Sequence, residues 1–260
     1  MNHSKDFTES FYVLINMTSV IIREIEELRL KAKPIIQAFA GSGMVASIAS
    51  YHLIEDLGLK EKGYIQVKGI PPLVMVKDGM IQQPLRLYES NELGLVLCDI
   101  SIPQDLIEDV VYQLMSWYHS KNPSWIVIIG GLPTTSRSRG SSTEYYCICN
   151  EMAVQERIKS KNLNIMSNGA VYGSIAHSLL AATNRGIPCL AILGECIATI
   201  PDYSATLAVL EALEKILDLK ISTEKLNKNA SQLNEKIMSQ IMEIEKQESK
   251  SKSGTDTQYI

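Results

Sequence analysis

The sequence is short of the features that would assign it to nucleic acid, membrane or metal. Lys and Arg number 25 against 29 Asp and Glu, a net charge of −4. Without a basic excess, nucleic acid is not expected as the main partner. No run approaches the roughly 18 consecutive apolar residues of a membrane-crossing helix, so no membrane partner is expected. The apolar stretch at residues 11–17 is short, follows Asp6 and Glu9, and precedes no small-residue cleavage pattern. It does not read as a signal peptide, and the expected compartment is the cytoplasm.

Reactive residues are equally sparse. There are five cysteines, Cys98, Cys147, Cys149, Cys189 and Cys196. The odd count and the apolar runs around three of them indicate buried thiols rather than disulfides. Cys147 and Cys149 would share one face of a strand. No second pair of soft ligands stands at zinc-like spacing, so no metal is expected. No G-x-S-x-G elbow occurs, and His3, His52, His119 and His177 have no evident carboxylate or thiol partner in the sequence. Asp99, Glu144, Glu195 and Asp202 fall near expected strand ends, but their spacing defines no catalytic pair. These residues imply no catalytic constellation and no cofactor.

What is present is an ordinary globular composition, 45% apolar and 21% charged over 260 residues, enough for a sizeable core. Apolar strand-like runs alternate with amphipathic segments. Strands are expected at 34–40, 64–67, 73–76, 85–89, 93–100, 125–129, 144–149 and 187–193, with a strand-like run at 165–171. Helices are expected at 44–57, from Pro103 to about 119, at 152–160, through 182, and at 205–217. This pattern predicts an α/β fold with a mostly buried sheet flanked by helices. The helix-free stretch 64–100 requires antiparallel pairing, so the sheet should be mixed. A core domain is expected over 1–222. An amphipathic helix follows at 223–248, with Leu226, Ala230, Leu233, Ile237, Ile241 and Ile244 on one stripe. A polar tail occupies 249–260.

The candidate binding features are glycine turns. Gly41-Ser-Gly-Met-Val-Ala46 nearly reproduces the dinucleotide fingerprint between a strand and a helix. The acid expected about 20 residues on is missing, because the next strand ends in Lys68-Gly69. The turn therefore reads first as close packing and second as a nucleotide site. Gly130-Gly131 with Arg137 and Arg139 offers backbone N–H groups and guanidinium forks to an anion. Asn168-Gly169 and Tyr172-Gly173-Ser174 read as a second strand-to-helix turn that could face the same sheet edge. An enzyme using these strand ends on a nucleotide or phosphorylated molecule is the alternative to a protein-binding role.

Five segments, in order, resemble the proteasome-assembly-chaperone family, including its archaeal members. They are Ala38-Phe-Ala-Gly-Ser-Gly-Met-Val-Ala46, Leu95-Val-Leu-Cys-Asp-Ile-Ser-Ile-Pro103, residues 126–133 (IVIIGGLP), Asn168-Gly-Ala-Val-Tyr-Gly-Ser174, and Gly186-Ile-Pro-Cys-Leu-Ala-Ile-Leu-Gly-Glu195 followed by Pro201-Asp202. The resemblance covers about 19–220. It implies a fold similar to purine nucleoside phosphorylases, no established catalytic residues, and ATP-independent binding to proteasome α subunits or the 20S α ring. It also implies self-association into a homo-oligomer. Some members end in a hydrophobic–Tyr–any motif that docks between α subunits. Here the chain ends Gln258-Tyr259-Ile260, matching at the tyrosine and departing at Gln258.

Overall fold

The computed structural model describes residues 19–70, 72–134, 143–224 and 226. Among the described residues, ten strands and five helices follow one another as β1 (Val20–Glu24), β2 (Pro34–Phe39), α1 (Val45–Asp56), β3 (Lys60–Val67), β4 (Met75–Lys77), β5 (Met80–Gln82), β6 (Leu85–Glu89), β7 (Gly94–Cys98), α2 (Gln104–Lys121), β8 (Trp125–Pro133), β9 (Tyr145–Cys149), α3 (Met152–Ser160), α4 (Ser174–Asn184), β10 (Cys189–Cys196) and α5 (Tyr203–Leu217). A 3₁₀ turn at Ser42–Met44 joins β2 to α1. Eight strands form one sheet in the order β1-β3-β6-β7-β2-β8-β10-β9, and β4-β5 form a separate ribbon. The four central strands β7, β2, β8 and β10 are parallel; β1, β3, β6 and β9 are antiparallel to their neighbours. The expected mixed sheet is therefore present.

The central strands are apolar throughout because both of their faces are covered. Along β2, Ile36 and Ala38 enter the core beneath α1, α3 and α5, while Ile35 and Phe39 enter the core beneath α2 and α4. The alternation repeats in β8, where Val127 and Ile129 face one core and Ile126 and Ile128 the other. Gln37 breaks the apolar run at the centre of β2. It is fully buried, and its amide is satisfied: Nε2 donates to Ser178 Oγ at 2.7 Å and Oε1 accepts from the Tyr118 hydroxyl at 3.1 Å. One polar side chain thus ties the sheet to both helices of that face.

Arg86 points from β6 toward α1 as a second buried polar group. Its guanidinium pairs with Asp99 just beyond β7 and also donates to Tyr51 and Gln82 at 2.8 and 2.7 Å. Helix α2 begins after Pro103, carries Asp105 in its first turn and His119 and Lys121 in its last, and stops at Asn122 in the left-handed region, φ 49°. This placement complements its dipole. At the sheet edge, the Glu24 carboxylate of β1 accepts bonds from the Trp117 indole and the Leu28 N–H and pairs with Lys121, clamping β1 to α2.

Four local expectations change. β1 carries no clean apolar alternation and is not among the expected strands. The run at 73–76 is half of a hairpin whose other strand, β5, is also new. β8 does not end at Gly130-Gly131 but continues to Pro133, because those glycines pair with Leu193 and Gly194 of β10. The run at 165–171 makes one isolated bridge, Cys147 to Ile165, and is otherwise not a strand. Leu226, the first member of the C-terminal stripe, is buried in the core with α1 and α5. The rest of the expected 223–248 helix, apart from 223–224, and the 249–260 tail lie outside the described residues.

Candidate functional site

The chain leaves β2 through α1 toward the β3 side of the sheet, whereas it leaves β8 toward β9 and β10. The seam between β2 and β8 is thus the point where the winding reverses. In open α/β sheets the crevice at the carboxyl ends of the strands flanking such a seam is the usual ligand site. Here it is a cavity of about 400 Å³, within the ordinary range for small-molecule sites. Phe39, Ile128 and Leu193 supply apolar surface. Gly41-Ser42 and Gly130-Gly131 form its walls, and residues 170–175, leading into α4, close it from above. Gly173 precedes α4 at φ 70° with no side-chain cap, so the first N–H groups of the helix have no capping side chain. Gln37, Ser42, Tyr172 and Ser174 are the polar side chains of the lining; among the described residues none of the lining is Asp, Glu, Lys, Arg or His. The arrangement offers hydrogen bonds and a weak positive potential, and among the described residues its lining carries no acid–base group apart from the Tyr172 phenol.

The structure brings together three of the glycines singled out from the sequence, Gly41, Gly130 and Gly131, with the second turn at Tyr172–Ser174 across from them. Gly43 sits behind the wall. It has φ 64°, and a Cβ there would stand 2.7 Å from Cys196 Cβ and 3.3 Å from Asp202 Cβ. At Gly131 a Cβ would lie 2.2 Å from the Ser42 carbonyl oxygen. These two glycines are required because the 3₁₀ turn is pressed onto β8 and β10. Gly41 differs: a Cβ there would meet only the Phe39 carbonyl, at 3.9 Å. Gly169 does not line the cavity and instead packs against Met166, whose Sδ would be 2.8 Å from a Cβ. Arg137 and Arg139, and Gln258, Tyr259 and Ile260, lie outside the described residues.

The acids near strand ends are engaged. Asp99 holds Arg86. Asp202 caps α5, accepting from Ala205 N at 2.9 Å and from Ile197 N at 3.0 Å. Glu144 and Glu195 are neighbours at the joined ends of β9 and β10, where the Glu195 N–H donates to the Glu144 carbonyl and the Glu144 carboxylate accepts from Asn164. The negative charge of Glu195, with burial secondary, pushes the half-buried Tyr146 phenol up. His52, His119 and His177 stand on α1, α2 and α4, outside the cavity lining. No disulfide is present; Cys98, Cys147, Cys189 and Cys196 are buried and Cys149 is half-buried. Among the described residues no cluster of three or more His, Cys, Asp or Glu is placed to hold a metal, and no helix is long and apolar enough to cross a membrane.

Comparison with known proteins supplies what the cavity alone does not. An uncharacterized protein of Methanocaldococcus jannaschii is 30% identical over 203 residues, 78% of this chain and 83% of the relative. Among solved structures, Pyrococcus furiosus PbaA, an archaeal homolog of proteasome-assembly chaperone, matches with a TM-score of 0.78 at 24% identity, covering 93% of this chain and 100% of PbaA. P. furiosus PbaB, an archaeal proteasome activator, matches with a TM-score of 0.76 at 21% identity, covering 87% of this chain and all of PbaB. The model of the PAC2 family matches residues 35–241, a span that holds the central parallel strands, both glycine turns and all five helices. The chain belongs to the PAC2 family, as a member of the archaeal type.

Proposed function

We propose that this chain is an ATP-independent, proteasome assembly chaperone-like protein that binds proteasome α subunits or the 20S α ring. The observation that carries the reading is the family match across residues 35–241. The fold shared with an archaeal homolog of proteasome-assembly chaperone and with an archaeal proteasome activator supports it. The α/β body supplies the main contact surface, and Gln258-Tyr259-Ile260 adds an anchor on a tether. A tyrosine fills an apolar pocket while its hydroxyl bonds at the rim, and tethering raises the anchor's effective concentration. Gln258 stands where the family motif is hydrophobic, which weakens the anchor. On this reading the protein works in the cytoplasm as a homo-oligomer.

The test is capture of 20S proteasome and of separate α subunits by the full chain and by a chain lacking Tyr259-Ile260. Capture that falls on truncation supports the complete reading. Capture that survives truncation removes the tail from it, and no capture of either form overturns it. The cavity at the winding reversal favours a second reading, a small-molecule site at the glycine-rich strand ends. Thermal shift with ATP, NAD and nucleosides checks it, because a ligand of the folded state must raise the melting temperature; a flat panel removes it.

A further inference from the structure

The cavity between β2 and β8 combines an apolar wall with hydrogen-bond donors that the chain leaves unused. Phe39, Ile128 and Leu193 are buried and supply the apolar wall. Gly41 and Ser42 line one side, and Gly173 and Ser174 lie across from them. The N–H groups of these four residues make no hydrogen bond among the described residues, and neither do the Ser42 and Ser174 hydroxyls. The carbonyls of the same turns are taken: Gly41 accepts from Met44 N at 3.1 Å, Ser42 from Val45 N, and Gly173 from His177 N at 3.1 Å. Buried Gln37 also lines the cavity, and its bond to Ser178, one turn into α4, holds the Gly173–Ser174 donors against the sheet.

Free donors beside engaged carbonyls select an acceptor-rich group in the ligand, and the apolar wall selects an apolar body. Charge decides which acceptor. Among the described residues the lining holds no carboxylate to repel an anion and no cation to neutralise one. N–H and hydroxyl dipoles suit a single negative charge. The two or more charges of a phosphorylated molecule call for the Arg or Lys partners that the described lining lacks. We propose that the cavity binds a compact monocarboxylic acid, its carboxylate accepting from the donors at Ser42 and Ser174 and its aliphatic or aromatic body against Phe39, Ile128 and Leu193. The volume of about 400 Å³, toward the small end for ligand sites, suits an acid of that size. This rests on the small-molecule reading of the cavity and adds the ligand's chemistry to it.

The test is titration calorimetry on the full chain with phenylacetate and hexanoate, beside phenylacetamide, hexanamide, a nucleoside, inorganic phosphate and ATP. The expected result is binding of both acids, with the amides weaker by about tenfold or more, because they lack the charge-assisted bonds, and no binding of the nucleoside, phosphate or ATP. Gly41→Phe should abolish acid binding. The backbone there is extended, φ −168°, and a Cβ would meet only the Phe39 carbonyl at 3.9 Å, so a ring can occupy the cavity at an unchanged melting temperature. Ser42→Ala with Ser174→Ala fills nothing; it should weaken the acids about tenfold and narrow their advantage over the amides, and it carries the test if Gly41→Phe fails to fold. Amides that bind as tightly as acids, or acids that still bind to Gly41→Phe, overturn the proposal. A nucleoside, phosphate or ATP that binds wild type but not Gly41→Phe, while the acids bind neither, overturns the acid and leaves the small-molecule site standing. No binding by any of them removes both.

Discussion

Removing the carboxylate of Asp99 should cost about 3 kcal/mol of folding stability. The Arg86 side chain is 1% exposed and that of Asp99 3%, so Asp99→Ala leaves a guanidinium charge that water does not reach. Breaking a buried pair in this way costs roughly 3–5 kcal/mol. The low end applies because Arg86 keeps its bonds to Tyr51 and Gln82 and remains 5.7 Å from the ring centres of Tyr51 and Tyr88. At about 2–4 °C per kcal/mol for a chain near this size, melting should fall by about 6–12 °C. Arg86→Met with Asp99→Leu removes both charges and should recover most of the loss, since an apolar replacement of a buried pair is often neutral. Urea unfolding at pH 7 and scanning calorimetry on the two singles and the double give the comparison. An Asp99→Ala protein within about 1 kcal/mol of wild type, or a double variant as unstable as the two singles summed, would refute the argument that the buried charge carries the cost.

Three other outcomes follow from the packing. Burial works to raise the Glu24 carboxyl, and bonds to Lys121, the Leu28 N–H and Trp117 outweigh it, holding Glu24 below its ordinary value of 4.5. A depressed carboxyl stabilises fully above its unfolded value and loses that contribution as pH falls through the folded one; the urea midpoints of wild type and Glu24→Gln should therefore differ at neutral pH and converge in acid. Burial pushes the thiols of Cys98, Cys147 and Cys189 up to about 12, so a disulfide reagent at pH 8 should modify few thiols in the native protein, Cys149 first, and five after unfolding; rapid native reaction of three or more would contradict the burial. Gly131→Ala should destabilise by about 1–3 kcal/mol through overpacking, whereas Gly41→Ala should stay within about 0.5 kcal/mol, and equal melting shifts for the two would show that the close approach of the Ser42 carbonyl is not the constraint.

The centre of the fold was legible because both faces of the parallel strands are buried. Runs such as IVII in β8 have no polar alternation and admit few other placements. The edges were not legible for the same reason in reverse. β1 reads VIIRE, with Ile21 half out in solvent and Arg23 and Glu24 bonded across its surface; its pairing comes from β3 rather than from its own pattern. The run at 73–76 read as a short strand, and the strand there, β4, belongs to a ribbon apart from the main sheet, because an apolar run does not report which strand it pairs with. The signal that would have found the hairpin is Asp78-Gly79 between short apolar runs. At the cavity, the glycines were visible but their reasons were not. Gly43 and Gly131 are fixed by backbone and side-chain contact with distant residues, and the buried Gln37 is explained only once Ser178 and Tyr118 arrive from two helices.

The two edges of the sheet carry different parts of the chain. β6 starts opposite the end of β7, Leu85 against Cys98, so the ribbon β4-β5 leaves the sheet at the carboxyl edge of the parallel strands, the same edge on which the cavity opens. Helix α5 starts at this edge, where Asp202 caps it, and runs back to the amino edge, where Arg157 holds the Ile216 carbonyl and Asp218. The segment that follows stays there: the Ser222 N–H donates to Asp56 at the end of α1, and Leu226 is buried in the core. The chain therefore enters its final section from the edge opposite the ribbon.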